Sequence, residues 1–427
     1  MTRTHTPLKA SPLRPLALAL ILGGTMSTAF ATDGYFSHGY GMKAKGMGGA
    51  SVAVAQDGFA GANNPARASF SGNRIEVGGD FFMPDRSASR TGSNMGGFFD
   101  AKVESDSKLF LVPEFGFNKT INDRVSAGLT VYGNGGMNTD YAGGQINCGQ
   151  GPANMLCGSG RLGVDLMQVV LAPTVAYKLN DRHAIGVSAL LVHQQFKADG
   201  LQFFGQMSSD GTKLTNNGFD TSNGLGVRLG YFGKLNDRVS IGASYSPKIS
   251  MSKFSDYAGL FAEQGKLDIP ENYSVGAAFQ ATPDVMLAVD YQRINYSGVP
   301  AIANPSGNMA FAPLGAANGP GFGWKDVGVI KLGVQWQATP KLALRAGYNK
   351  SQNPVTANDV TFNILAPGVI TTHVTLGGTY ALSPSTEMTV AYMHAPRQSV
   401  TGGSIFGGTE TIGMSQNSLG LQIGWKF

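Results

Sequence analysis

The last ten residues, 418–427, read SLGLQIGWKF. Small or polar residues occupy the even positions after Ser418, and apolar side chains occupy the odd positions Leu419, Leu421, Ile423, Trp425 and Phe427. Alternation with a period of two predicts a β-strand with one apolar face. An aromatic carboxyl terminus on such a strand is typical of a transmembrane β-barrel, whose outer face meets lipid and whose rims carry aromatic side chains. The alternative is an ordinary edge strand.

The same alternation recurs upstream, between six short polar turns. These turns are Asn122-Asp123, Asn180-Asp181, Asn236-Asp237, Pro283-Asp284, Pro340-Lys341 and Ser383-Pro384. Asn, Asp and Pro favour local turn geometry. Six turns join twelve strands into six hairpins, and one strand on each side (residues 73–82 and 414–427) brings the total to fourteen. An even number of strands is typical of single-chain bacterial barrels.

The composition supports a barrel over a helical membrane protein or a soluble domain. Charged residues make up 14% of the 427 residues, against about 25% in typical soluble domains. After residue 31 no run of 18 apolar residues remains, so no membrane helix is predicted. The net charge of +5 comes from scattered basic residues, which do not predict nucleic-acid binding. The predicted fold is therefore all-β: a 14-stranded antiparallel transmembrane β-barrel.

Residues 1–31 have the pattern of a cleaved signal peptide. Three basic residues precede an apolar core at residues 16–22, and residues 29–31 read Ala-Phe-Ala, a small-residue cleavage site. A membrane anchor is the alternative, but the apolar run is too short to span a bilayer. The sequence therefore predicts export, with a final location in the bacterial outer membrane.

Residues 32–72 form the least regular part of the chain and are predicted to be a hatch inside the barrel formed by residues 73–427. Within them, residues 34–66 read GYFSHGYGMKAKGMGGASVAVAQDGFAGANNPA and contain eight glycines without helical or strand periodicity. The alternative is a flexible tail. A barrel would give this segment a lumen, with partners among the inward-facing residues Glu76, Asp80, Arg228, Lys331 and Arg345.

Cys148 and Cys157 are the two cysteines, and both lie in a loop rich in Gly and Asn. In an exported protein such a pair is expected to form a disulfide. A metal or redox pair is the alternative, but the C-x-x-C spacing and a nearby histidine are missing. No cofactor and no metal are predicted.

The order of several short motifs resembles the FadL family of outer-membrane transporters for long-chain fatty acids and other hydrophobic compounds. The tripeptide Asn64, Pro65, Ala66 closes the glycine-rich segment, and fourteen strands follow. Further landmarks in family order are residues 141–144 (YAGG), 177–180 (YKLN), 267–271 (LDIPE), 323–326 (GWKD) and 392–394 (YMH). The resemblance implies passive diffusion past the hatch and lateral exit into the bilayer, through a gap beside a kinked third strand.

The resemblance also implies roles for particular residues. We expect Asn64, Pro65 and Ala66 to meet the wall near the third strand. The gate is assigned to Tyr132, Gly133, Gly135 and Gly136, because glycine in a strand permits a bulge; a loop that begins early is the alternative. The apolar ligand groove and pocket are assigned to Tyr35, Phe36, Phe203, Phe204, Phe254, Tyr257, Leu260 and Phe261. The alternative for these side chains is packing within the hatch or on the barrel mouth.

Fatty-acid members of the family hold the substrate carboxylate with basic side chains. The nearest equivalents in this sequence are Gly200 and Pro320, which are uncharged. Lys197 and Lys325 lie close to them and are the candidate carboxylate-binding residues, with a solvated or hatch-paired charge as the alternative. Long-chain fatty acids are the predicted substrates, and neutral aromatic hydrocarbons are the alternative, since some family members serve them.

Two other classes of function were weighed. An outer-membrane lipase or protease needs a histidine beside a nucleophile or an acid, and the histidines are scattered at His5, His38, His183, His193, His373 and His394. An aqueous porin does not need apolar loops or a plug. The expectation is therefore a monomeric channel that is not an enzyme. Its expected partners are hydrophobic small molecules, outer-membrane lipid and lipopolysaccharide, and the barrel-assembly machinery, which would bind the last strand.

Overall fold

The computed structural model describes residues 33–149 and 151–427, and the predicted signal peptide lies outside them. Within these ranges the chain is dominated by β-strands. The strands are β1 (Arg74–Thr91), β2 (Ala101–Glu104), β3 (Phe110–Thr120), β4 (Val125–Tyr141), β5 (Ile146–Asn147), β6 (Pro152–Ala153), β7 (Leu162–Lys178), β8 (His183–Asp199), β9 (Asp220–Lys234), β10 (Val239–Ser246), β11 (Asn272–Gln280), β12 (Val285–Ile294), β13 (Val327–Thr339), β14 (Leu342–Ser351), β15 (Thr372–Ala381), β16 (Thr386–Gly403) and β17 (Thr409–Lys426).

Helical segments are short and lie in the hatch and the long loops. The α-helical turns are α1 (Met42–Lys45), α2 (Ala60–Asn63), α3 (Asn94–Gly97), α4 (Ala262–Gly265), α5 (Pro300–Ala303) and α6 (Val360–Asn363). The 3₁₀ turns are Pro65–Ser69, Gln202–Met207, Gly211–Lys213, Ser255–Tyr257, Tyr296–Gly298, Ser306–Ala310 and Ala357–Asp359. None of the helices in the described residues has the length and hydropathy needed to cross a bilayer.

Fourteen strands form one closed antiparallel barrel, as the sequence predicted. They are β1, β3, β4 and β7 to β17, each paired with its neighbour in chain order, and β1 pairs with β17 to close the ring. Closure places Ile75 opposite Trp425 and Val77 opposite Ile423. A closed ring leaves no strand edge with unpaired backbone groups in lipid.

Alternation places the apolar side chains on the outside of this wall. Leu421, Trp425 and Trp336 are between 42% and 51% exposed on the outer face. The residues between them point into the lumen and are buried, among them Gln422 and Lys331. An apolar outer face and a polar interior are the pattern of a barrel whose surrounding solvent is lipid.

The six predicted turns join neighbouring strands, and each is held by a side-chain oxygen. In the Asn turns the amide oxygen accepts from the backbone N–H three residues later, at 2.9 Å for Asn122, Asn180 and Asn236. Thr282, Thr339 and Ser383 do the same with their hydroxyl oxygens, at 3.0–3.1 Å. Side chains that bond the backbone locally favour such turns, which explains the repeat in the sequence.

The segment from Asp33 to Asn73 fills the lumen. Its backbone passes so close to the wall that glycines face each other. A Cβ atom on Gly347 of β14 would lie 2.0 Å from the backbone nitrogen of Gly48, and one on Gly116 of β3 would lie 2.9 Å from the carbonyl carbon of Gly58. The high glycine content of residues 34–66 therefore reflects close approach of two backbones.

Four of the five inward-facing residues expected to hold the hatch do so. Lys45 pairs with Asp80 at 2.8 Å, and the backbone N–H of Gly58 donates to Glu76. Arg228 donates to the carbonyl of Gly61 at 3.1 Å and Lys331 to that of His38 at 2.9 Å. Arg345 instead donates to Gln335 and Thr379 of the wall, at 2.8 and 2.7 Å, because a barrel strand also brings neighbouring side chains within reach.

We expect Gly347→Val to displace the hatch and leave the barrel closed, because the new side chain would overlap Gly48. Overpacking of this kind costs roughly 1–3 kcal/mol. Limited trypsin digestion in detergent measures exposure of hatch lysines, and heat-modifiable electrophoretic mobility reports the barrel. Gly378→Val on neighbouring β15 is the matched control, since its Cβ would meet Leu344 at an ordinary 3.7 Å. Equal digestion of the two variants would contradict the prediction.

Candidate functional site

Strand β4 contains an irregularity where the sequence predicted a kink. Its register against β7 shifts between Gly133 and Gly135, so Asn134 is an extra residue that bulges from the ladder. The strand nevertheless continues to Tyr141, so the segment is not a loop that begins early. Glycines on both sides allow the backbone to bend at this point.

The bulge reverses which residues face the lumen. Before it, Leu129 and Val131 lie opposite Pro173 and Leu171 on the outer face. After it, the residues that turn inward are Met137, Thr139 and Tyr141, and Met137 lies opposite the buried Leu166. Because side chains alternate along a strand, one extra residue exchanges the two faces.

Beyond the bulge, β4 separates from β3. Pairing of these strands ends at Phe115 opposite Val131, so in the described residues β4 has no strand partner on this side from residue 132 to residue 140. We call this stretch, between residues 110–114 of β3 and 132–140 of β4, the side opening. It is closed at its loop end, where Ser105 bridges to Tyr141 and the backbone N–H of Asp106 donates to the carbonyl of Asp140 at 2.8 Å.

The beginning of the hatch lies against the bulge from inside. Phe36 forms a bridge with Gly135, and the backbone N–H of Gly136 donates to the carbonyl of Tyr35 at 3.2 Å. The backbone N–H of Ser37 donates to the carbonyl of Asn134 at 3.3 Å. Backbone groups that β3 leaves unpaired are thus satisfied by the hatch, as buried backbone requires.

The expected position of Asn64, Pro65 and Ala66 is wrong. The Asn64 amide donates to the carbonyls of Tyr231 on β9, at 2.8 Å, and of Val52, at 2.9 Å. Cβ atoms placed on Gly230 of β9 and Gly186 of β8 would contact Pro65 and Ala66. The tripeptide therefore docks mainly on strands beyond β4, where wall glycines leave room for its rigid backbone, and the segment Asp33 to Ser37 takes the predicted place.

A cavity lies among the long loops above the hatch. Its lining is Leu156, Val164, Phe196, Leu201, Phe204, Leu260, Phe261, Ala301, Leu314, Pro320, Gly321, Phe322, Phe362 and Leu365. The cavity has a volume of about 40 Å³, against roughly 150 Å³ for an engineered apolar cavity that holds benzene. Its side chains must therefore move apart to admit a substrate. Apolar walls of this kind suit an apolar ligand.

The eight predicted groove residues divide between the cavity and its supports. Phe204, Leu260 and Phe261 line the cavity. Phe254 and Tyr257 are buried behind it against Phe196, with ring centroids 5.7 and 4.9 Å away. Both interpretations of residues 254–261 therefore apply, because Phe254 and Tyr257 at the start of the segment pack behind the cavity, while Leu260 and Phe261 at its end line it.

The remaining three predicted groove residues lie at the two ends of an aromatic series. Phe203 is partly exposed above the cavity, 5.3 Å from Phe406. Below the cavity the series runs from Phe322 to Trp324, at 6.2 Å, and on to Tyr296, at 5.2 Å. It then reaches the hatch, where Tyr35 and Phe36 lie 5.4 and 6.2 Å from Tyr296. Phe322, Trp324 and Tyr296 were missed, although the GWKD motif contains one of them.

Neither lysine expected to bind a carboxylate lines the cavity. Lys197 lies on the outward face of β8, pairs with Asp199 at 3.2 Å and lies 5.5 Å from the Phe219 ring centroid. Its neighbours Phe196 and Ala198 are the residues that turn inward. Lys325 is exposed on the loop before β13. Strand alternation therefore directs Lys197 away from the cavity, and the loop before β13 leaves Lys325 exposed.

Sequence reasoning missed a buried arginine beside the side opening. Arg86 points into the lumen from β1 and is 2% exposed. Its Nη1 donates to the carbonyl of Asn138 at 2.6 Å, and its Cζ lies 5.6 Å from the ring centroid of Phe110. The signal was available: an arginine occupies an inward position of an alternating strand.

The predicted disulfide is present: Cys148 and Cys157 are joined in the loop after β4.

Two of the histidines that are scattered in the sequence are adjacent in the structure. His38 of the hatch stacks on His373 of β15 with ring centroids 5.6 Å apart. Burial, together with the charges of Lys45 and Lys331, lowers the pKa of His38 to about 3 and keeps its ring neutral at physiological pH.

Comparisons with known proteins agree with this geometry. The family described as outer membrane protein transport protein (OMPP1/FadL/TodX) matches residues 18–404. None of the curated protein sequences matches the chain.

Solved structures share the fold. The toluene transporter TodX of Pseudomonas putida is 20% identical, with a TM-score of 0.66 over 91% of this chain and 99% of its own. A FadL homologue of Pseudomonas aeruginosa is 16% identical, with a TM-score of 0.67 over 92% and 100%. The toluene transporter TbuX of Ralstonia pickettii is 16% identical, with a TM-score of 0.60 over 91% and 99%.

We expect Gly135→Val to detach the start of the hatch from β4, because a Cβ there would lie 2.1 Å from the carbonyl oxygen of Tyr35. Loss of one or two hydrogen bonds should speed exchange of the Gly136 amide about tenfold. Hydrogen–deuterium exchange of peptides covering residues 35–41 and 132–141 measures this. Gly403→Val in β16 is the control, since its Cβ would have no neighbour within 4 Å. Unchanged exchange in Gly135→Val would refute the contact.

Proposed function

Because the chain belongs to the outer membrane protein transport family OMPP1/FadL/TodX, we propose that it carries hydrophobic compounds inward across the outer membrane by passive diffusion. The observation that carries this proposal is the combination of an apolar cavity among the loops with an opening in the wall below it. The hatch fills the lumen and is tied to many strands, so the side opening is the way out that does not require the hatch to leave the lumen.

Exit through the wall is favoured on physical grounds. An apolar solute that leaves through the side opening keeps its surface out of water, and each Å² kept from water is worth about 25 cal/mol. Release through the lumen into the periplasm would forfeit that free energy. The hatch residues that cover the bulge, Tyr35 and Phe36, are therefore proposed to control access to the opening.

Long-chain fatty acids are the first proposed substrates, and neutral monoaromatic hydrocarbons are the second. The cavity lining contains no charged side chain, which favours a neutral ligand or the apolar tail of an acid. Two of the similar structures are those of toluene transporters. A fatty acid requires a basic group near the cavity, and neither Lys197 nor Lys325 supplies it.

Uptake by cells tests the function. We expect cells that contain the protein to accumulate labelled oleate or labelled toluene at least several-fold faster than cells without it. Single-channel recording in planar bilayers is the companion measurement, since an aqueous porin gives large steady currents and a filled lumen does not. Equal uptake of both compounds with and without the protein would overturn the proposal.

The cavity itself is tested by filling it. We expect Ala301→Phe to reduce uptake of either compound about tenfold, because a ring at this position occupies a cavity of only about 40 Å³. Ala303→Phe is the matched control, since Ala303 belongs to the same turn, α5, but does not line the cavity. Unchanged uptake by Ala301→Phe, in a protein with normal heat-modifiable mobility, would exclude the cavity from the route.

A further inference from the structure

Arg86 has an unusual environment for a buried charge. It lies in a short stretch of β1 that has no strand partner on this side. Pairing of β1 with β3 ends at Phe82 opposite Phe110, and pairing with β2 begins only at Ser87. Its guanidinium therefore faces the side opening. Nη1 reaches across to the carbonyl of Asn138 on β4, while Nε and Nη2 are buried without a hydrogen-bond partner.

Other buried arginines of the described chain are compensated differently. Arg67 pairs with Asp57 at 2.8 Å, Arg74 with Glu76 at 2.6 Å, and Arg90 with Glu410 at 2.5 Å. Arg228 donates to hatch carbonyls and Arg345 to side-chain oxygens. Arg67 also has two unpartnered nitrogens, but its charge is neutralised by a carboxylate. Arg86 combines unpartnered nitrogens with the lack of an ion pair.

Acidic groups near Arg86 are engaged or directed elsewhere. Asp85, the preceding residue, faces outward and lies 3.8 Å from Arg397. Asp140 pairs with Arg161 at 2.5 Å. Asp165 lies on the outward face of β7, across from Asn138; it is buried and close enough to act electrostatically on Arg86, but it forms no ion pair with it. A buried guanidinium with no carboxylate in ion-pair contact and two unpartnered nitrogens is costly, so this position is suited to an incoming anion.

The two free nitrogens also have the right geometry. Nε and Nη2 lie on one edge of the planar guanidinium, and this edge donates two parallel hydrogen bonds to a carboxylate. The third nitrogen fixes the plane of the group through Asn138. The site is thus arranged for bidentate binding of a single carboxylate, and a lysine could not reproduce it.

The site adjoins the apolar cavity. Thr139 follows Asn138 and donates to the carbonyl of Leu365 at 2.8 Å, and Leu365 lines the cavity. Tyr141 donates to the carbonyl of Ile364 at 3.1 Å. An apolar chain can therefore extend along the cavity side of β4 while its head group reaches Arg86. The Phe110 ring beside the guanidinium adds a cation–π contact.

We propose that Arg86 binds the carboxylate of hydrophobic monocarboxylic acids at the side opening, at a position separate from the apolar cavity that takes their chains. This inference rests on the proposed function, since it assumes that hydrophobic compounds leave through the opening. It supplies the basic group that the cavity lacks and that neither Lys197 nor Lys325 provides. Neutral hydrocarbons pass the same opening without using Arg86.

The test compares two ligands with the same chain. Purified full-length protein in detergent is titrated with oleate and with oleyl alcohol, which lacks the carboxylate. We expect Arg86→Gln to weaken oleate binding about 10- to 100-fold, as loss of charge-assisted hydrogen bonds does, and to leave oleyl alcohol binding unchanged. Arg397→Gln is the matched control: it removes a positive charge that contacts Ser87 from the exposed face of the same wall.

The possible results distinguish failure of the Arg86 site from failure of the proposed function. If Arg86 holds only water, Arg86→Gln will change the two affinities equally or not at all, and the proposal is overturned. If that variant does not show heat-modifiable folding, Arg86→Lys replaces it, since lysine keeps the charge but not the fork; selective weakening of oleate supports the site and equal affinities refute it. Wild-type cells that take up neither oleate nor toluene overturn the proposed function, whereas uptake of both with no effect of Arg86→Gln on oleate overturns the Arg86 site alone.

Discussion

The structure depends on how the buried backbone of the hatch is satisfied. A segment without regular secondary structure carries N–H and C=O groups that must find partners once water is excluded. The wall supplies them: Asp290 accepts from the N–H groups of Ser51 and Val52 at 2.7 and 2.9 Å, and Glu114 accepts from that of Gly41 at 3.2 Å. The polar lumen of the barrel is thus a set of hydrogen-bonding partners for one particular chain path. This fixes where the lumen is blocked.

The wall could be predicted from the sequence, because its determinants are local. Alternation along residues 418–427 and turn residues such as Asn122 act within a few positions of themselves, so strand number, closure and the bulge at Gly133–Gly135 follow from pattern. Contacts between distant segments could not be predicted in this way. Asn64 docks on β9 and the Asp33 to Ser37 segment takes the place beside β4, because glycines from several strands decide where a backbone fits. The outward direction of Lys197 follows from alternation, because its neighbours Phe196 and Ala198 are the inward residues of β8.

The functional elements converge on one region of the wall. Leu365 lines the cavity, and its carbonyl accepts a hydrogen bond from Thr139 of β4. The start of the hatch covers the bulge, five residues before Thr139 in the same strand. Arg86 donates to Asn138 of this strand from the other side of the opening. One strand therefore contacts a residue of the cavity lining, the start of the hatch and the side opening. Movement of β4 or of the hatch start would therefore change the cavity lining, the hatch contact and the side opening together, which gives a physical basis for linking ligand capture to release.

The extra residue in β4 has a consequence for how such channels can diversify. Substituting a side chain in residues 135–141 changes one surface position at a time. Deleting Asn134 would instead remove the bulge while Gly135 and Met137 kept their partners Gln168 and Leu166 on β7, so the same side chains would still face the lumen. Length variation at this point therefore alters the bend of β4 and its backbone contacts with the hatch start, without exchanging the side chains that face the lumen.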